Sequence, residues 1–95
     1  MLALVVNLTI QAGKEEKAKE YIRIMEGHTR REPGCRQYIG HQSQEDPRRF
    51  LLYELYNDRA ALEAHRAAAY FQQFVTNGLS TVVENRVANL FDTVS

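Results

Sequence analysis

Apolar residues recur along this chain in two rhythms, one of period two and one of period three to four. Leu2 to Ile10 (LALVVNLTI) is dense in Leu, Val and Ile and reads as a strand. Leu4, Val6, Leu8 and Ile10 make one face; Ala3, Val5, Asn7 and Thr9 make the other. Both faces are largely apolar, so both are expected to be covered. Gln11-Ala12-Gly13 turns the chain into a helix predicted from about Lys14 to Arg31. Its inner stripe is Ala18, Tyr21, Ile22, Met25 and His28, and Lys14, Glu15, Glu16, Lys17, Lys19 and Glu20 supply the wet face. Pro33-Gly34 stops it. Cys35 to His41 reads as a strand, Gln42 to Arg48 as a polar loop containing Pro47, and Arg49 to Tyr56 as a strong strand. The two form an antiparallel hairpin whose register the long loop leaves open by a residue. Asn57 or Asp58 caps a second helical region, DRAALEAHRAAAYFQQFVTNGL, with a break expected near Ala67 to Ala69. Leu62 and His65 share its inner face, and Phe71, Phe74, Val75 and Val82 continue the stripe. Asn85 to Thr93 closes the chain as a fourth strand.

This order predicts an α+β fold of ferredoxin-like βαββαβ topology: a four-stranded antiparallel sheet with both helices on one face. No repeat, linker or low-complexity tract divides the chain, so residues 1–95 are read as a single domain. The helices cover only one side of a sheet that is apolar on both. An open apolar sheet face exceeds the few hundred Å² that monomers commonly expose. A homodimer packed through the sheet faces is therefore expected.

Twelve basic residues balance twelve acidic ones, which removes the electrostatic footprint expected of a nucleic-acid binder or of attraction to anionic membranes. The single Cys35 leaves no internal disulfide and no cysteine cluster for zinc or iron–sulfur. The apolar opening has no basic n-region and reaches Asn7 too soon for a membrane span, so a cytoplasmic setting is expected. The five glycines approximate no nucleotide-binding loop, and His28, His41 and His65 show no paired-ligand spacing.

Polar residues at apolar positions are the candidates for chemistry. Asn7 interrupts a hydrophobic strand, either as a buried amide satisfying a backbone bulge or as a pocket group. Glu54 shares a face with Phe50, Leu52 and Tyr56, where a carboxylate is costly unless paired or protonated. Its reading is an ion pair with Arg36 or Arg86, or a carboxylate lining a cleft. His65 points inward, as a satisfied core residue or as a base. His28 ends the first helix, where it suits the negative dipole, and His41 borders a loop.

The stretch REPGCRQY, followed by DPRRFLLYELYNDRAALEAHRAAAYFQQF, resembles the antibiotic biosynthesis monooxygenase family within the dimeric α/β-barrel group. The Pro-Gly-Cys turn, the Phe-x-x-Tyr-Glu strand and the Ala-Leu-x-x-His helix start carry the likeness by their order and spacing. The resemblance implies one pocket per subunit between sheet and helices, to which Asn7, Glu54 and His65 contribute. Departures also count. Tyr56 stands where several relatives have Trp, and the absence of Trp speaks against the haem-degrading branch. Tyr70 stands where relatives resembling a phosphosugar isomerase carry a second His.

The resemblance, taken with the lack of a cofactor motif, implies a monooxygenase that needs no cofactor and acts on a small electron-rich aromatic such as a quinol. Triplet dioxygen needs a one-electron donor, and without a flavin, haem or metal motif the deprotonated substrate must be that donor. His65 is expected to take the hydroxyl proton, Glu54 to orient or balance it, and Asn7 to bond the anionic oxygen. Phe50, Tyr56, Phe71 and Tyr21, with Leu52 and Phe74, are expected to enclose the ring. The alternatives are an oxygen-independent isomerase of a hydroxy-ketone or sugar phosphate using the same two residues, and a non-catalytic binding dimer.

Overall fold

The computed structural model describes residues 1–95. Its elements are β1 (Leu2–Ile10), α1 (Glu15–Thr29), β2 (Cys35–Gln42), β3 (Arg49–Tyr56), α2 (Arg59–Ala67) and β4 (Val83–Asp92). Short helical turns at Ala69–Phe71, Gln72–Thr76 and Leu79–Val82 join α2 to β4. The four strands form one antiparallel sheet in the order β2-β3-β1-β4, the ferredoxin-like arrangement expected from the pattern. No helix is long and apolar enough to cross a membrane.

Alternation along the central strand sorts the two faces. Leu2, Leu4, Val6, Leu8 and Ile10 are buried against the helices with Ala18, Ile22, Leu52, Leu62, Leu79 and Val82. On the other face Ala3, Val5 and Asn7 stand beside Phe91, Asn89 and Val87 of β4 and beside Leu55, Tyr53 and Leu51 of β3. That face is open: Val87 is 49% exposed and Phe91 54%.

Local chemistry sets the boundaries. Gly13 takes φ 85°, and its N–H donates to Glu15 Oε1 at 3.0 Å, which delays the helix start to Glu15. Asp58, rather than Asn57, caps α2 by accepting from Ala61 N at 2.9 Å. The helix breaks where expected, with Ala68 extended (ψ 142°). Beyond that break Phe71 and Val75 continue the stripe into the pocket and Val82 into the core, but a π turn over Gln72–Thr76 replaces regular winding and turns Phe74 away. β4 starts at Val83, earlier than the pattern indicates, because a bulge at Thr9/Ile10 lets Val83 pair with Ile10.

Two contacts hold α1 on β2: Gly40 N donates to Glu26 Oε2 at 2.9 Å, and Arg30 Nε donates to the Tyr38 carbonyl at 3.1 Å. The turn after α1 is pinned against α2 at Gly34. A Cβ on Gly34 would collide with the Ala61 side chain, so only glycine permits this approach. The same turn carries Glu32 toward the site.

Candidate active site

Between the helical layer and the sheet lies a pocket of about 180 Å³. Leu4, Val6 and Leu8 of β1 and Leu52 of β3 form its apolar floor, and Phe71, Val75, Leu79 and Val83 enclose it. Its polar groups are Tyr38, Glu54, His65, Ser80, Arg66 and Arg86. Glu54 and His65, chosen from sequence for opposing the local apolar pattern, therefore meet in one cavity.

His65 is 2% exposed, on the inner face of α2 one turn after Leu62. Aromatic rings surround it: Tyr38 and Tyr56 lie tilted at 5.8 and 5.4 Å, and Phe71 meets it edge-on at 5.2 Å. Its Nδ1 lies 3.0 Å from Glu32 Oε2 and 3.2 Å from Oε1. A carboxylate can only accept, so Nδ1 carries the proton. Nε2 of the neutral ring is then a bare lone pair, 3.8 Å from Glu54 Oε1. Burial lowers the His65 pKa below the ordinary imidazole value, outweighing the upward pull of Glu32. The ring is thereby held as a neutral base.

Glu54 is 3% exposed. Its Oε1 accepts from the Tyr56 hydroxyl at 2.6 Å, so its partner is a phenol two residues along the strand. Neither Arg36 nor Arg86 pairs with it, which corrects the ion-pair expectation. Burial pushes its pKa up to about 7; the Tyr56 hydrogen bond and the charges of Arg66 and Arg86 pull the other way without prevailing. An acid titrating near neutrality thus stands beside an unprotonated imidazole nitrogen. Such a pair can move a proton in either direction.

Asn7 is not part of this site. It pairs across the sheet with Leu51 and Val87, opposite in parity to Leu4, Val6 and Leu8, and so projects from the open face. Strand alternation places it there, and no side-chain rotation can bring it through the sheet. Four of the expected ring-enclosing aromatics also lie elsewhere. Tyr56 is fully buried beneath the pocket, where it holds Glu54. Phe50 sits toward the far end of β3, beside Gln42. Tyr21 packs against Gly78 and lies under the Lys17 ammonium, 5.2 Å from its ring. Phe74, redirected by the π turn, stacks on His28 at 5.7 Å. Leu52 and Phe71 do line the cavity.

Sequence reasoning missed Glu32, Tyr38 and Arg66, and reached Tyr70 only as the residue standing where some relatives carry a second His. The Tyr70 hydroxyl donates to Glu32 Oε2, and its ring stacks on His28 at 4.6 Å. One signal for Glu32 was present: an acidic residue just beyond a helix C-terminus faces the negative dipole end and requires another reason to be there. His28 thus does more than meet that dipole, while His41 is exposed, with Nδ1 3.3 Å from the Leu51 carbonyl.

This geometry defines a ferredoxin-like domain with a pocket walled by apolar side chains and armed with a carboxylate-held imidazole. The sequence profile of the antibiotic biosynthesis monooxygenase family matches residues 1–77, and the chain belongs to that family. A Bacillus subtilis protein named for an inferred monooxygenase activity, YcnE, is 28% identical over 78 residues, covering 82% of each chain. An uncharacterised Synechocystis protein, sll1783, is 34% identical over 65 residues; the match spans 65% of this chain but only 44% of that protein. Among solved structures, an inferred antibiotic biosynthesis monooxygenase from Nitrosomonas europaea superimposes with a TM-score of 0.94 at 28% identity, covering 100% of both chains. PA3566 from Pseudomonas aeruginosa gives 0.91 at 29% identity, covering 99% of this chain and 94% of that one.

Proposed function

We propose that this protein oxygenates small electron-rich phenols or hydroquinones, with His65 as the base and dioxygen as co-substrate. The observation that carries this reading is the orientation of His65: Glu32 holds the Nδ1 proton, so Nε2 meets the cavity as an acceptor. A phenolic hydroxyl donating to Nε2 loses its proton there. The phenolate passes one electron to dioxygen, the resulting radical and superoxide join through a new C–O bond, and loss of water leaves an oxidised ring. For hydroquinone the sum is one quinol and one O₂ to one hydroxyquinone and one water. Glu54, with its pKa near 7, returns or accepts the proton that this sequence moves.

The proximity of Glu54 to Nε2 also supports a second reading, proton transfer within a hydroxy-ketone without oxygen. Oxygen uptake separates the two. Aerobic incubation with a panel of hydroquinones should consume one O₂ per quinol, and His65→Ala should slow turnover by roughly 100-fold or more. Full turnover by His65→Ala eliminates the base assignment; isomerisation under argon favours the second reading. The open apolar sheet face, with Val87, Phe91 and Ile39 exposed, supports a homodimer packed sheet to sheet.

A further inference from the structure

Arg66 and Arg86 reach the pocket from different elements, α2 and β4, and both are exposed. Neither takes part in an ion pair or a side-chain hydrogen bond; the same holds for Arg23, Arg31, Arg36, Arg49 and Arg59, but Arg66 and Arg86 alone among the arginines line this pocket. Their positive charge is nonetheless felt inside: it favours ionised Glu54, and Arg66 disfavours protonated His65. Two unpartnered guanidinium groups thus border a cavity whose walls are apolar and whose base lies deep. The cavity volume of about 180 Å³ sets the scale of the guest. An apolar cavity of roughly 150 Å³ holds one benzene ring.

We propose that the substrate is a single-ring phenol or hydroquinone bearing a carboxylate or phosphate group, which Arg66 and Arg86 clamp at the rim while the hydroxyl meets His65. Guanidinium suits this task because its planar fork donates in parallel to two oxygens of one anion. The charged end stays at the wet rim, where its desolvation is small, and the ring fills the dry interior. The clamp also fixes the direction of entry, presenting the uncharged hydroxyl end of the ring to Nε2. This assignment rests on the reading of the cavity as a substrate site, but not on the reaction that follows.

Binding measured under argon tests it apart from any turnover. The probes are 2,5-dihydroxybenzoate, its neutral amide 2,5-dihydroxybenzamide, and 4-hydroxyphenyl phosphate, titrated calorimetrically into the wild type, Arg66→Gln, Arg86→Gln and the double variant. The wild type should bind at least one anion about tenfold more tightly than the amide at low ionic strength, with the preference falling in added salt. Each single variant should lose part of that preference and the double variant all of it, the loss falling on anion affinity more than on amide affinity. Which anion is preferred tells carboxylate from phosphate. Equal affinity for anions and amide, a preference that survives the double substitution, or binding of no probe at millimolar concentration overturns the proposal. Anion-selective binding without oxygen uptake leaves the clamp standing and removes the oxygenase reading.

Discussion

Glu32 Oε2 lies 3.0 Å from His65 Nδ1, bridging the turn after α1 to the inner face of α2. The contact sets which imidazole nitrogen is available to a substrate, although Glu32 itself is absent from the lining of the cavity. It acts through His65 as a positioning residue. In Glu32→Gln the amide can either accept from or donate to Nδ1, so both tautomers become accessible. We expect kcat to fall roughly 10- to 100-fold with KM little altered. The carboxylate also raises the His65 pKa against the stronger effect of burial. Its loss should move the acid limb of the rate profile to lower pH, a shift that general loosening of the fold does not produce. An unchanged profile with unchanged kcat rejects the positioning role.

Glu54 makes stability depend on pH in a stated direction. Its carboxyl ionises near the ordinary 4.5 when unfolded and near 7 when folded, so between these values the folded state holds the proton more tightly. This group favours folding fully below about pH 4.5, and that contribution is lost as pH rises through about 7. Ionised Glu54 at pH 8 costs about 3 kcal/mol relative to its protonated form. Glu54→Gln keeps an acceptor for Tyr56 and removes the titration. Urea unfolding should show the variant gaining on the wild type from pH 5 to pH 8. His65, with its lowered pKa, destabilises in the acid direction, and comparison of the two proteins largely cancels its effect. A difference that does not vary with pH refutes the assignment.

Gly34 couples the fold to the site. In Gly34→Ala the new methyl meets the Ala61 Cβ, so the turn must move off α2 and take Glu32 with it. The expected loss is about 1–3 kcal/mol, with activity reduced in the manner of Glu32→Gln. Adding Ala61→Gly returns the space at about 1 kcal/mol of helix propensity. The double variant should regain activity while remaining less stable than wild type by thermal melting. Activity that stays low in a folded double variant disproves the coupling.

The residues most legible in the sequence were those whose polarity opposed a strong local rhythm. Glu54 among Phe50, Leu52 and Tyr56, and His65 one turn after Leu62, could be placed on inner faces by periodicity alone. Asn7 gave the same kind of signal and misled, because β1 is apolar on both faces and alternation does not say which face the helices cover. The segment from Ala68 to Val82 was legible in its break and in the inward residues Phe71, Val75 and Val82, but not in its winding. Its extended break at Ala68 precedes Tyr70, which reaches Glu32, and its π turn, which departs from the regular 3.6-residue period, carries Phe74 to His28. Glu32 was hidden because a turn residue has no face until tertiary packing supplies one, here through the contact of Gly34 with Ala61.

The open side of the sheet yields the last prediction. Val87 and Phe91, at 49% and 54% exposure, alternate on β4 beside Asn7 and Ala3, and Ile39 continues the apolar surface on β2. A second copy matches such a face in area and chemistry without any further partner, since each copy needs the same cover. Sedimentation at micromolar concentration should give twice the 11.0 kDa of one chain. Val87→Lys with Phe91→Lys should produce a folded monomer, because both side chains point away from the helices and leave the core untouched. Their removal from the interface leaves the pocket chemically intact, so anaerobic binding of an aromatic probe should persist in the monomer. A wild type that sediments as a single chain refutes the dimer, and a dimer indifferent to both lysines places the interface elsewhere.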